Sequence, residues 1–568
     1  MTMDESKNKI TAKLIWSRYD KGLKFNNAID LADCVKANEN MFIGKQWEGV
    51  ESNGLPTPTF NMLKQIVLHQ VASITSDNIA MSASPLGAAA NDKGLEQITS
   101  IVNDEFISLF ERNKITMMLR EFMRNAAVDG DGCMFSYWDA DEDTIKTEVV
   151  ENNRVYFGNP NDRRVQAQPY IIISRRDMLD EVKDYAKEHD TPQDVIDNVI
   201  RPDNDDNNSD MDRLVDDKCT VLLYLYKSKE TKSIHAVECV HDTIIRADYD
   251  MGIKLYPLVW LNWDYVQNSY HGQALITGLI PNQMFVNKAY AMCMMSLMMS
   301  AFPKTVFDKT RVDKWSNQVG ATIGVNGPAT DIAKIIEPAQ ISPQVSQFIE
   351  SAIQNTQNFT GATSAALGNT RPDNTSAIIA LQRAASIPSE ITKQNLYQCV
   401  EDLGRIYIEF MAENYGKRPV DMGVNDVLPP AVTQFAGVPA TAQMQVSFDF
   451  GQLKGLPMLL KLDVGASAYW SEIASMQTLD NLLQLQKIDI VDYLERIPDG
   501  YISKRQELLA KYKALQQQPS PVMPQMGGDQ PQGAEGDIAG AGQSVPIEGG
   551  GGYKALQRKV NETNTVPA

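Results

Sequence analysis

Hydrophobic positions in the first 130 residues recur with helical spacing, and those between 145 and 260 fall into short runs of strand composition. Helices are predicted over 7–24, 27–42, 61–77, 94–112 and 115–128. The second stops before Gly44, and the last at Asp129, Gly130, Asp131 and Gly132, ahead of a strand over 133–138. The first is amphipathic, with Lys7, Lys9, Lys13, Arg18, Lys21 and Lys24 against the acid Asp20, and with Ile10, Leu14, Ile15 and Trp16 as its apolar side. That pattern suits a surface helix or a contact with an anionic partner. Strands follow over 147–150, 155–157, 170–174, 219–227, 234–240 and 243–249. One helix over 177–189 interrupts them, as does the acidic stretch 203–212, which offers little apolar surface to bury and reads as an exposed loop. Helices and strands gathered into separate runs give an α+β body.

Residues 265–387 break with that pattern. Between Asp264 and Lys304 the only formally charged side chain is Lys288, and residues 291–302 are apolar on every face, with Met292, Met294, Met295, Met298 and Met299 among them. A helix of that kind must be buried all round. A lipid-spanning helix needs ~20 consecutive apolar residues, and Asn282, Gln283, Asn287 and Lys288 interrupt this one too early. What remains is a protein environment, either the chain's own core or neighbouring copies of the same subunit, and flexible methionines suit irregular packing. Strands are predicted over 303–308, 321–325 and 332–336. Ser342 then supplies an N-cap and Pro343 a first helical residue, after which Val345, Phe348, Ile349, Ala352, Ile353 and Phe359 keep helical spacing up to a stop at Gly361. At ~1.5 Å per residue this second helix is about 27 Å long, which suits a stalk. A loop of small and polar residues, charged only at Arg371 and Asp373, leads to a helix over 377–386, which Pro388 must bend or break.

Beyond Pro388 a helix is predicted over 390–414, with Leu396, Val400, Leu403, Ile406, Tyr407 and Phe410 on one face. The alternating strand 444–450 is expected to complete the preceding sheet, and helices to follow over 467–486, 489–494 and 503–518. Residues 519–568 are dominated by Gly, Pro, Gln and Ala and should be disordered, because they cannot bury enough apolar surface to offset their ordering entropy. Tyr512, Lys513, Ala514, Leu515 and Gln516 recur at 553–557, as a duplication or as a short docking helix.

Composition narrows the chemistry. The six cysteines are scattered and read as reduced thiols. No phosphate-binding G-x-x-x-x-G-K-[ST] occurs, the five histidines have no zinc-ligand spacing, and the sequence after Asp129 lacks the ligand pattern of a calcium loop. No catalytic residue, metal site or cofactor is assigned, and an enzyme is the weakest reading. Lysines and arginines number 53 against 72 acids, a net charge of −19, which argues against a protein that clamps DNA phosphates.

Several short stretches, in order, carry a resemblance. Ser269, Tyr270, His271 and Gly272 open the first long helix, and Pro281, Asn282, Gln283, Asn287 and Lys288 lie within it. Gly368 and Asn369, then Asn374, Thr375, Ser376, Ala377 and Ile378, precede the third. With residues 38–47, 58–61 and 157–161 upstream and 488–495 downstream, the chain resembles the portal proteins of tailed bacteriophages, particularly the podovirus-type branch, over about residues 7–516. No single motif is diagnostic; the order of many weak matches carries the likeness.

The resemblance implies a portal fold: wing (1–270), stem helix (271–301), clip (302–341), second stem helix (342–360), tunnel loop (361–376), a kinked helix with return to the wing (377–466), crown (467–518) and tail (519–568). It implies a ring of twelve copies at one vertex of the virion capsid, assembled in the host cytoplasm, through which double-stranded DNA is packaged and ejected. Partners would be the terminase large subunit, a head–tail adaptor, the major capsid protein and a scaffolding protein, with no membrane. Asn369, Thr370, Arg371 and Asn374 are expected to face DNA, Lys309, Arg311, Lys314 and Trp315 to meet the clip's partners, and Met292, Met295 and Met299 to pack between subunits. Twelve copies at −19 total about −228, which suits DNA that must slide, although acidity also serves solubility alone. The alternative is a purely structural head–tail joint without DNA gating.

Overall fold

The computed structural model describes residues 10–52, 54–76, 79–85, 93–189, 191–203, 217–301, 304–336 apart from 313, 317, 319, 329 and 331, then 342–362, 375–423, 443–456 and 458–464, and positions between 479 and 512. The expected tail 519–568, the acidic stretch from 204 onward and most of the predicted helices 467–486 and 503–518 lie outside the described residues.

Helices α1 (Ala12–Ala28), α2 (Leu31–Ile43) and α3 (Met62–Ile74) lead to strand β1 (Ile79–Pro85), then α4 (Lys93–Arg112) and α5 (Ile115–Asp129). Strands β2 (Asp131–Asp139), β3 (Thr144–Val149), β4 (Val155–Phe157) and β5 (Tyr170–Met178) follow, then α6 (Leu179–Glu188) and α7 (Gln193–Asn198). Next come β6 (Lys218–Lys227), β7 (Ile234–Val240), β8 (Thr243–Asp250) and β9 (Leu258–Asn262). Mixed helix and sheet matches the α+β expectation.

The strands β4 to β8 form one antiparallel sheet in sequence order, and β9 joins β2 and β3 in a second, in the order β3-β2-β9. Alternation divides the first sheet cleanly. Ile171, Ile173, Leu223, Leu225 and Ala236 point into the main core, whereas Ile172, Leu222, Tyr224 and Val237 point to Ala12, Ile15 and Tyr19 of α1. Of the predicted apolar side of α1, Ile10, Ile15 and Trp16 pack on this sheet, whereas Leu14 is exposed. Val182, Ala186 and Ile196 of α6 and α7 cover a further patch of Cys219, Val221, Val240 and Ile245.

The second half of this unit holds α8 (Leu275–Ala301), β10 (Thr305–Phe307), β11 (Ala333–Ile335), α9 (Pro343–Phe359), α10 (Thr375–Asn414), β12 (Lys417–Gly423), β13 (Gln443–Asp449) and β14 (Met458–Val464). Pro388 does not break α10, which runs through it as one helix; its downstream residues Leu396, Val400, Leu403, Tyr407 and Phe410 are buried in the main core. The strand expected to complete the wing sheet pairs elsewhere: β13 lies antiparallel to β12, a separate two-stranded pair. β14 pairs antiparallel with β1, which joins a late segment of this unit to the strand after α3. A second unit, described from residue 479, contains α11 (Ile490–Arg496), capped by Asp489, with Val491, Leu494 and Ile497 buried and the Tyr493 hydroxyl donating to Asp480 at 2.5 Å.

Candidate functional site

The site to weigh is the arm made by α8 and α9. The two helices run antiparallel: Asn282 Nδ2 donates to Thr356 Oγ1 at 3.2 Å, and Phe285 meets Phe348 edge to face at 5.7 Å between ring centres. Val286, Ala289 and Ile349 are buried between them, together with Met62 of α3. β10 and β11 pair at the far end, Thr305 opposite Ile335.

Polar residues inside α8 explain how the arm is rooted. Gln283 and Asn287 are fully buried. The Gln283 Oε1 accepts from the amides of Met62 (3.1 Å) and Leu63 (3.4 Å), and its Nε2 donates to the Phe60 carbonyl (2.5 Å) and to Asn287 Oδ1 (3.0 Å). Asn287 Nδ2 in turn donates to Gln46 Oε1 at 2.6 Å. The first amides of a helix lack intrahelical acceptors, so a glutamine from α8 serves as an external cap for α3. Leaving such groups unpaired costs about 1–3 kcal/mol each. These are the residues that cut the apolar run short in the sequence; their polarity serves docking.

A second root lies just before α8. The helix begins at Leu275, so Ser269, Tyr270, His271 and Gly272 precede it rather than open it. His271 and Asp131 are both buried, with His271 Nδ1 at 2.7 Å from Asp131 Oδ2. Asp131 Oδ1 accepts from the Gly272 amide and from Asn262 Nδ2, both at 2.7 Å, and His271 Nε2 lies 3.3 Å from Asn26 Oδ1. One carboxylate thus ties α1, β2, β9 and the start of the arm together. Gly130, which ends α5 at φ +105°, and Gly272 allow the close approach: a Cβ on Gly272 would stand 2.7 Å from the Asp264 carbonyl oxygen. Burial pushes the neighbouring Asp129 carboxyl up to about 7; Arg124 opposes this, and Glu39, Glu151 and Asp131 add to it. Nothing in the sequence linked Asp131 to His271; each motif was visible only by itself.

Beyond Ala291 the arm changes. Met292 is 59 % exposed and Leu297 69 %, with Met294, Met298 and Met299 exposed and Met295 half-buried. The expected burial on all sides is therefore not met among the described residues, none of which covers the outer half of α8. On α9, Phe348 and Phe359 are likewise exposed.

At the tip, residues 321–325 are not a strand, and only the first and third predicted strands pair. Gly320 and Gly327 flank that segment at positive φ, and Asn326 bonds back to the Arg311 carbonyl, which turns the chain away from an extended partner. Trp315 stacks on Phe307 at 5.5 Å, Arg311 lies 3.8 Å from Asp308, and Lys309 and Lys314 are exposed. At the root of the expected tunnel loop, Thr360 and Ala362 are buried, and Gln70 donates to the Thr360 carbonyl. Asn369, Thr370, Arg371 and Asn374 lie outside the described residues.

Among the described residues no group of His, Cys, Asp or Glu has metal-site geometry, and no helix is long and apolar enough to cross a membrane. Burial pushes the Cys219 and Cys239 thiols up to about 12, well away from thiolate nucleophiles. No curated protein matches the chain. Residues 241–420, which run from β8 through the whole arm and α10 into β12, match the family model described as phage P22-like portal protein, a match over about a third of the chain that supports a phage portal protein.

Proposed function

We propose that the chain is the portal vertex subunit of a tailed phage, a ring-forming protein whose central channel passes double-stranded DNA during packaging and ejection. The observation that carries this reading is the uncovered apolar outer half of α8, which lies inside the segment matched by the family. A face of that kind calls for a neighbour, and a head-to-tail contact repeated about an axis closes into a ring. Met292, Met295 and Met299 then pack between subunits, in a ring of twelve.

In this reading residues 271–301 and 342–360 are the stem, 302–341 the clip, 361–376 the tunnel loop and 467–518 the crown, with the wing built from 1–270 and the return through 377–466. Lys309, Arg311, Lys314 and Trp315 meet first the terminase large subunit and then the head–tail adaptor, and the capsid and scaffolding proteins surround the wing. Asn369, Thr370, Arg371 and Asn374 face the duplex, with Arg371 offering each passing phosphate one weak contact. The role is mechanical and needs no catalytic group or cofactor; a net charge of −19 keeps the remaining surface from holding DNA.

Electron microscopy of the purified protein tests the reading. Twelvefold rings with a pore about as wide as B-DNA support it, a monomer argues for an enzyme, and a wide unconstricted bore favours a structural joint. Arg371→Glu should leave ring assembly intact and impair packaging or retention of DNA; undiminished packaging counts against the tunnel-loop assignment.

A further inference from the structure

A cavity of about 710 Å³ lies away from the arm, between the two main sheets, α6 and the end of α10. It falls within the range of small-molecule sites, ~300–1,000 Å³. Its walls carry six aromatic side chains, Phe135, Tyr137 and Trp138 of β2, Tyr185 of α6, Tyr249 of β8 and Phe410 of α10.

The charges in it are unevenly matched. Buried Glu238 stands between two guanidinium groups, 2.8 Å from Arg175 Nη2 and 3.7 Å from Arg246 Nη1, and it also accepts from the Tyr185 hydroxyl at 3.0 Å. Asp177 lies 3.7 Å from Arg175 Nε, which has no hydrogen-bond partner among the described residues, and Glu181 adds an exposed carboxylate. The two other acids of the lining are already met, Asp139 by Lys146 at 2.5 Å and Asp250 by the Gly252 amide at 2.8 Å and His235 at 3.7 Å. The lining therefore carries three carboxylates, Asp177, Glu181 and Glu238, against two arginines. Behind the wall, burial holds the Glu148 carboxyl above its usual range, with Asp177 raising it further against the pull of Arg175.

Ring faces here already take cations. Arg246 sits 3.6 Å over Tyr249, and Arg418 stands 3.7 Å over Tyr415 and 5.7 Å from Trp138. The negative face of an aromatic ring attracts such groups most strongly where water is excluded. An anion drawn to the unpartnered Arg175 Nε, by contrast, would lie beside Asp177, 3.7 Å from that nitrogen, and the other surplus carboxylates.

We propose that this cavity binds a small organic cation, a guanidinium or alkylammonium carried on a short apolar chain that lies across the rings. The inference is independent of ring assembly, so it stands or falls apart from the portal reading.

Agmatine is the probe, titrated calorimetrically into the full-length protein while the tryptophan emission is followed, with benzoate and sulfate as anionic controls. Saturable binding below about 10 mM and a raised unfolding midpoint are expected, since a ligand of the native state stabilises it by mass action. Glu181→Gln, at an exposed position, should weaken binding about three- to tenfold. Ala140→Trp should abolish it by filling the mouth. Three results overturn the proposal: no heat or shift with agmatine, saturable binding of benzoate or sulfate in its place, or agmatine binding unchanged in both variants.

Discussion

Leu297→Glu puts the packing role of the outer half of α8 to a quantitative test. Leu297 is 69 % exposed in the single chain, so covering what remains open would contribute about 1–2 kcal/mol at each contact of the proposed ring. Glutamate loses that contribution and adds an unpaired carboxylate to a face where Met292, Met298 and Met299 offer it no partner, a further cost of at least about 2 kcal/mol. The sum, about 4 kcal/mol per interface, weakens each contact about a thousandfold, at 1.4 kcal/mol per tenfold. Because the residue is already open to water in the monomer, the variant's own stability should stay within about 0.5 kcal/mol of the parent. Sedimentation velocity across a concentration series, run beside thermal unfolding followed by circular dichroism, separates the two effects. Leu297→Met serves as the control and should assemble like the parent. A Leu297→Glu protein that forms the same oligomer at the same concentration as its parent would refute the argument, and one that unfolds early would show that the residue packs within its own chain.

Three further outcomes are expected. Asp131→Ala leaves His271, Asn262 and the Gly272 amide without their acceptor and should cost about 3–5 kcal/mol in urea unfolding; a loss below about 1 kcal/mol would mean that this carboxylate does not root the arm. Gly272→Ala drives a Cβ against the Asp264 carbonyl and Asn262 and should destabilise by about 1–3 kcal/mol, whereas Gly278→Ala, with open space around it inside α8, should gain up to about 1 kcal/mol; equal effects at the two sites would remove the close-approach argument. Asp129, with its carboxyl raised to about 7, binds a proton in the folded state that the unfolded chain releases above its ordinary pKa near 3.8. Stability from this group is therefore present below about pH 4 and declines as pH rises to 7, by up to about 1.4 kcal/mol per pH unit. Asp129→Asn should flatten that slope, and an unchanged slope in pH-dependent unfolding would exclude Asp129 as its source.

Local signals were legible where local physics decides. Ser342 and Pro343 start α9 as their residue types require, with Ser342 Oγ accepting from the Gln344 amide at 3.4 Å. The runs 155–157 and 234–240 are strands at their expected limits. Residues 321–325 misled because strand composition does not supply a partner strand, and the glycines at 320 and 327 turn the chain before one can form. Of the bend or break expected at Pro388, the break does not occur: loss of one amide donor does not end a helix whose next turns bury Leu396, Val400 and Leu403 in the main core.

The sequence by itself determined the helix and strand segments, the absence of a phosphate-binding or zinc motif, the odd apolar stretch and the order of motifs that points to a portal, because periodicity, capping and composition act over a few residues. Only the tertiary structure decided which polar residues of α8 are roots, that Asp131 joins His271 across 140 positions of chain, that β13 pairs with β12 rather than with the main sheet, and that two sheets, α6 and the end of α10 meet around an aromatic cavity. Those outcomes depend on which distant segments meet, and burial raises the cost of every unpaired polar group only once they have met.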